Sequence, residues 1–136
     1  MNPTPSFFEQ LLHHAAQQPQ PQRLLFLFAG AELPPDADAA QRAGFAAGQG
    51  GALVPLACVD KSPRDLSSFE ALVQESRAAC PPWDAVFIAA IGGSAGEEPP
   101  AATVDGALHA MVDDVRQGRL ARYLALGRSG DPLVLQ

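Results

Sequence analysis

The chain has 136 residues, 47% of them hydrophobic and 18% charged, with fifteen acidic residues against nine basic ones and a formal net charge of −6. That length amounts to one domain, and the composition is globular, not disordered. The acidic balance opposes nucleic-acid or anionic-membrane binding, and every apolar run is shorter than the roughly 20 residues that span a bilayer.

The opening MNPTPSFFEQ has no basic segment followed by an apolar core, so no signal peptide is expected and a cytoplasmic location is the default. Ser6-Phe7-Phe8-Glu9 reads as a capping box at a helix start. Phe8, Leu11, Leu12 and Ala15 then recur at helical spacing until the Gln/Pro run at 17–22. Leu24 to Ala29 is a continuous apolar run, too short for a helix, and predicts a strand buried on both faces, the signature of a parallel sheet. Pro34-Pro35-Asp36 opens an alanine-rich helix that ends in the glycines of GQGG at 48–51. A second strand is expected over Ala52 to Val59, with Pro55 placing it at an edge or a bulge because proline lacks a ladder donor.

Ser67-Ser68-Phe69-Glu70 is a second capping box, opening a helix whose apolar face is Leu66, Phe69, Leu72 and Val73; Pro81-Pro82 ends that segment. Trp83 to Ile91 predicts a third strand. Thr103 then caps a helix striped with Val104, Leu108, Met111, Val112 and Val115, with Gly118 as its stop. Leu120 to Leu126 and Pro132 to Gln136 flank Gly127–Asp131 and suggest a terminal hairpin. The alternation predicts a single α/β domain over 1–136: a mostly parallel sheet of about five strands, helices on both faces, and a C-terminal antiparallel β-hairpin.

Gly92-Gly93-Ser94-Ala95-Gly96 satisfies the G-x-S-x-G pattern of a nucleophile elbow. An elbow needs a helix directly after the serine, and here Glu97-Glu98-Pro99-Pro100 intervenes. The only later histidine, His109, shares a helix face with Asp105, which is awkward for a triad reaching Ser94, so a glycine turn without a catalytic residue is expected. Neither GQGG nor GGSAG has the spacing of a phosphate loop. His13 and His14 are adjacent and diverge by about 100° on a helix, and the Asp105/His109/Asp113 face reads as local ion pairing, so no metal or cofactor is expected. Cys58 and Cys80 lack metal spacing and read as reduced structural thiols. Arg116, Arg119, Arg122 and Arg128 form either a local basic patch or a solvated helix end.

One constellation has a positive reading. Ligands of open parallel sheets bind beyond the carboxyl ends of the strands. With the first three strands parallel, that edge collects Glu32, Asp60, Lys61 and Ser94, a candidate site for a small polar ligand or a divalent cation.

Three stretches, QRLLFLFAGAELPPDA (22–37), GQGGALVPLACVDKSP (48–63) and PWDAVFIAA (82–90), resemble a family of small uncharacterised proteobacterial proteins, some of which carry the label ribonucleotide reductase subunit alpha. The chemistry in that label needs three cysteines acting together, and Cys58 and Cys80 supply two. The leading expectation is therefore a cytosolic protein-interaction or homo-oligomeric module, drawing on the terminal hairpin edge and on Phe7 and Phe8, which cannot both face one core stripe. The alternative is a ligand binder or enzyme using the Glu32/Asp60/Lys61/Ser94 edge.

Overall fold

The segment Leu24–Gly30 is buried without interruption, and the architecture follows from how that is achieved. A computed structural model describes residues 6–32, 36–46 and 52–133. Strands β1 (Gln22–Glu32), β2 (Ala52–Lys61), β3 (Ala85–Gly92) and β4 (Leu124–Leu126) form one sheet in the order β2-β1-β3-β4. They alternate with helices α1 (Phe7–Ala16), α2 (Ala39–Ala46), α3 (Phe69–Ala79) and α4 (Ala101–Arg116), and a 3-10 turn spans Pro63–Asp65.

Every neighbouring strand pair is antiparallel, which overturns the mostly parallel sheet of about five strands. The physical reason lies in β1. A continuous apolar run records burial on both faces, and an antiparallel strand meets that condition equally well when helices cover both sides. The period-2 alternation divides the strand cleanly. Leu24, Phe26 and Phe28 face Phe8 of α1 together with Phe69 and Leu72 of α3, whereas Leu25, Leu27 and Ala29 face Val104, Met111 and Val115 of α4. The first strand of the terminal hairpin is likewise shorter than expected. Leu120–Tyr123 lies outside β4, and one bridge, Leu126 to Pro132, closes the turn; the last three residues of the expected partner strand lie outside the described residues.

Local signals fare better. Ser6 Oγ accepts from the Glu9 amide at 3.1 Å and Glu9 Oε2 accepts from the Ser6 amide at 3.3 Å, closing the capping box at α1. At α3 the cap moves one residue, to Ser68, whose Oγ accepts from the Ala71 amide at 3.1 Å. Helix α4 starts earlier than expected, with Pro100 at the cap position and Thr103 inside the first turn. Gly118, at φ 75°, ends it as anticipated: the Gly118 and Arg119 amides turn back to the Val115 and Asp114 carbonyls. Asp38 and Gln41 make a reciprocal cap at α2, each backbone N–H donating to the other's side-chain oxygen at 2.8 Å. The expected helix start at Pro34-Pro35 and the GQGG stop lie outside the described residues. Pro55 sits on an edge strand beside a bulge, where Phe28 pairs with Ala57 and Ala29 with Pro55, leaving Leu56 as the extra residue.

Phe7 and Phe8 separate as their adjacency requires: Phe8 is 1% exposed and packs on Phe26 and Phe69, while Phe7 is 42% exposed. Phe8→Ala is expected to cost about 3–5 kcal/mol in urea unfolding, and Phe7→Ala to stay within about 0.5 kcal/mol. Equal costs would show that α1 does not seal this face.

Candidate functional site

Antiparallel pairing separates the four residues expected at one edge. Asp60 pairs with Leu25 near the start of β1, whereas Glu32 closes its far end, roughly 20 Å away at about 3.3 Å per residue. Asp60 and Lys61 are successive on β2 and point to opposite faces. On the α4 side Arg23 Nε donates to Asp60 Oδ2 at 2.7 Å, and the same guanidinium lies 3.4 Å from Glu98. On the α3 side Lys61 Nζ donates to Glu75 Oε1 at 2.6 Å. Ser94 follows β3 at the same end as Asp60 and Lys61.

The glycine loop around Ser94 is a tight backbone turn. Ser94 and Glu97 exchange both amide-to-carbonyl hydrogen bonds, at 3.0 and 2.9 Å, and Ala95 and Gly96 have φ of 52° and 77°. Two consecutive positive φ values mark a type I′ turn, which puts Ser94 at its first corner with an exposed side chain. A Cβ on Gly93 would fall 1.6 Å from the Glu97 carbonyl oxygen, so the second glycine serves a close backbone approach.

A different cluster emerges when the cations are followed to their partners. Arg23 and Lys61 are paired as above, and the expected arginine patch splits. Arg119 Nε donates to Asp114 at 3.0 Å and Arg122 lies 3.7 Å from the same carboxylate. Arg42 donates to the Ala37 carbonyl and Arg64 to Ser62. Arg77, Arg116 and Arg128 make neither an ion pair nor a side-chain hydrogen bond among the described residues.

Two of those three, Arg77 and Arg128, line one cavity of about 330 Å³ together with Val73, Ser76, Cys80, Pro81, Pro82 and Trp83. Arg77 stands in the last turn of α3 and Arg128 in the turn after β4, which Gly130, at φ 87°, holds against the Phe69 ring. The wall is fixed. Trp83 Nε1 donates to Ser76 Oγ at 2.8 Å, Ser76 Oγ donates to the Val73 carbonyl at 2.6 Å, and the indole packs at a 49° tilt against Phe28, with ring centroids 5.1 Å apart. Burial pushes the Cys80 thiol up, so it stays neutral and lines the cavity as a small apolar group. Sequence reasoning missed this site because its two cations come from separate elements. The visible signals were the chain's one tryptophan following Pro81-Pro82, and Arg128 apart from the Arg116–Arg122 group.

Asp114 forms a structural latch. Its buried carboxylate accepts from the Tyr123 hydroxyl and from Arg119, tying the end of α4 to the segment that enters β4. Its pKa is held below the ordinary carboxylate value, first by the Tyr123 hydrogen bond and then by Arg119. Burial, then the same hydrogen bond, pushes Tyr123 up to about 12.

No protein-family model, curated protein or solved structure matches the chain.

Because the folded Tyr123 pKa lies above the unfolded value of about 10, the tyrosine's contribution to stability is complete below about pH 10 and is lost as pH rises through about 12. Asp114 behaves oppositely: its contribution is present above the ordinary carboxylate pKa and is lost as pH falls through its depressed value. Thermal melts of the wild type and Tyr123→Phe are expected to differ at neutral pH and to converge between about pH 10 and 12. A gap that stays constant across that window would mean that Tyr123 ionises without consequence for folding.

Proposed function

We propose that the protein is a binding module for a small organic anion, held in the cavity between the end of α3 and the turn after β4. The observation that carries this reading is the pairing pattern: in a chain of net charge −6, two of the three arginines that make neither an ion pair nor a side-chain hydrogen bond among the described residues line the same cavity. Its volume of about 330 Å³ sits at the lower end of the roughly 300–1,000 Å³ range of ligand pockets. Guanidinium forks suit carboxylate and phosphate oxygens, and the Ser76–Trp83 hydrogen bond holds the wall in place before a ligand arrives.

Thermal-shift measurements with mixed carboxylates, sulfonates and phosphate monoesters test this reading, since a ligand bound only by the folded state raises the melting temperature. Several anions are expected to stabilise the wild type, and an Arg77→Gln/Arg128→Gln double variant is expected to lose that response while melting at the wild-type temperature in buffer alone. Anions that stabilise both proteins equally, or neither, would sink the proposal.

A second reading, as a self-associating module, draws on β2. Its outer edge has no partner strand among the described residues, and from Ala57 to Lys61 it runs clear of the Pro55 bulge. Beside it a cleft of about 140 Å³, lined by Phe28, Ala57, Val59 and Leu72 among others, lies between β2 and α3, where a fifth strand from a second copy would rest a side chain. Light scattering across a concentration series is expected to show a dimer that Cys58→Lys, an exposed edge substitution, converts to monomer. A wild type that stays monomeric throughout rules this reading out.

A further inference from the structure

The hydrogen-bonding inventory of the same cavity narrows the ligand beyond its charge. This step rests on the anion-binding reading above and specifies what the anion is attached to. Pro81 and Pro82 have no backbone N–H to offer. The Cys80 amide is already spent on the Ser76 carbonyl at 2.9 Å. Trp83 Nε1, the one donor of the indole, is spent on Ser76 Oγ, and the Ser76 hydroxyl proton on the Val73 carbonyl. Val73 offers only methyl groups, and Cys80 a neutral, weakly bonding thiol. The strong side-chain donors left among the lining residues are therefore the guanidiniums of Arg77 and Arg128.

We infer that the ligand is an amphipathic organic acid whose body carries no hydroxyl or amide groups, an aromatic or branched-chain carboxylate, with its head at Arg77 and Arg128 and its body against Pro81, Pro82 and Trp83. A sugar phosphate or nucleotide would satisfy the arginines but would set its hydroxyls against proline rings and indole, where no side-chain donor is left to meet them. Each polar group buried without a partner works against binding, which makes the cavity select against such bodies. A flat ring suits the wall better than a bulky one, since two proline rings and an indole present broad apolar faces.

Trp83 is the chain's only tryptophan, so its emission reports the cavity directly. The probes are phenylacetate, its neutral amide phenylacetamide, and glucose 6-phosphate, titrated against the full chain with melting temperature as a parallel readout. Phenylacetate is expected to shift Trp83 emission saturably, about tenfold or more weakly in Arg77→Gln and in Arg128→Gln, as loss of a charge-assisted contact requires. Phenylacetamide and glucose 6-phosphate are expected to bind at least tenfold more weakly than phenylacetate. Glucose 6-phosphate binding as tightly as phenylacetate, yet lost in the arginine variants, would overturn the apolar-body inference and leave the anion site intact. Phenylacetamide binding as tightly as phenylacetate, or phenylacetate binding that ignores both arginine variants, would overturn the inference and count against the anion site. No response to either acid in either readout would overturn both.

Discussion

The whole structure depends on keeping β1 dry on both faces. Leu24 through Ala29 are buried without exception, and alternation sends three of them toward α1 and α3 and three toward α4. Neither helical layer is dispensable, because removing one would expose half of the central strand. The two faces are filled differently. Phe26 and Phe28 meet Phe8 and Trp83 at ring separations of 6.3 and 5.1 Å, while the α4 side uses Leu25, Leu27 and Ala29 against Met111 and Val115. The aromatic face is covered by α1 and α3 together. Trp83, which continues that face, is also the wall of the cavity, so the site is an outgrowth of the aromatic half of the core.

The sequence and the structure agree where the signal is local and part where it is not. Caps at Ser6 and Gly118, the stripes of α1 and α4, and the edge position of β2 with its bulge at Pro55 were all legible, because each depends on atoms within a few residues of one another. Strand direction was not. The residues between β1 and β2, like those between β3 and β4, are enough to hold a helix and still bring the chain back antiparallel. Nothing in an apolar run distinguishes that outcome from a parallel crossover, since both bury the strand on two sides. The capping residue at α3 slipped by one because Ser67 and Ser68 offer the same oxygen, and Ser68 is the one that takes the cap.

Strand direction in turn decided the fate of the polar edge. A parallel sheet would have gathered Glu32 with Asp60, Lys61 and Ser94; an antiparallel one sends Glu32 to the opposite end. What remains at the near end is already paired. Arg23 sits against Asp60 and Glu98, and Lys61 against Glu75, so neither Asp60 nor Lys61 stands free to meet an incoming ion. The adjacency of Asp60 and Lys61 suggested a shared site, but on a strand it guarantees the reverse, because neighbours point apart.

The cavity by α3 has the complementary electrostatics. Arg77 and Arg128 are 51 positions apart in the chain and meet only because β4 pairs with β3 and its turn then lies against α3. Both lack a carboxylate partner among the described residues, although the chain carries six more acids than bases. Asp131, the nearest acid in sequence to Arg128, accepts instead from Ser129 at 3.1 Å. Two cations left over an apolar wall in an acidic protein concentrate attraction for an anion at one place while the rest of the surface repels it. That contrast makes the cavity a better site than the edge, where Asp60 and Lys61 are both matched.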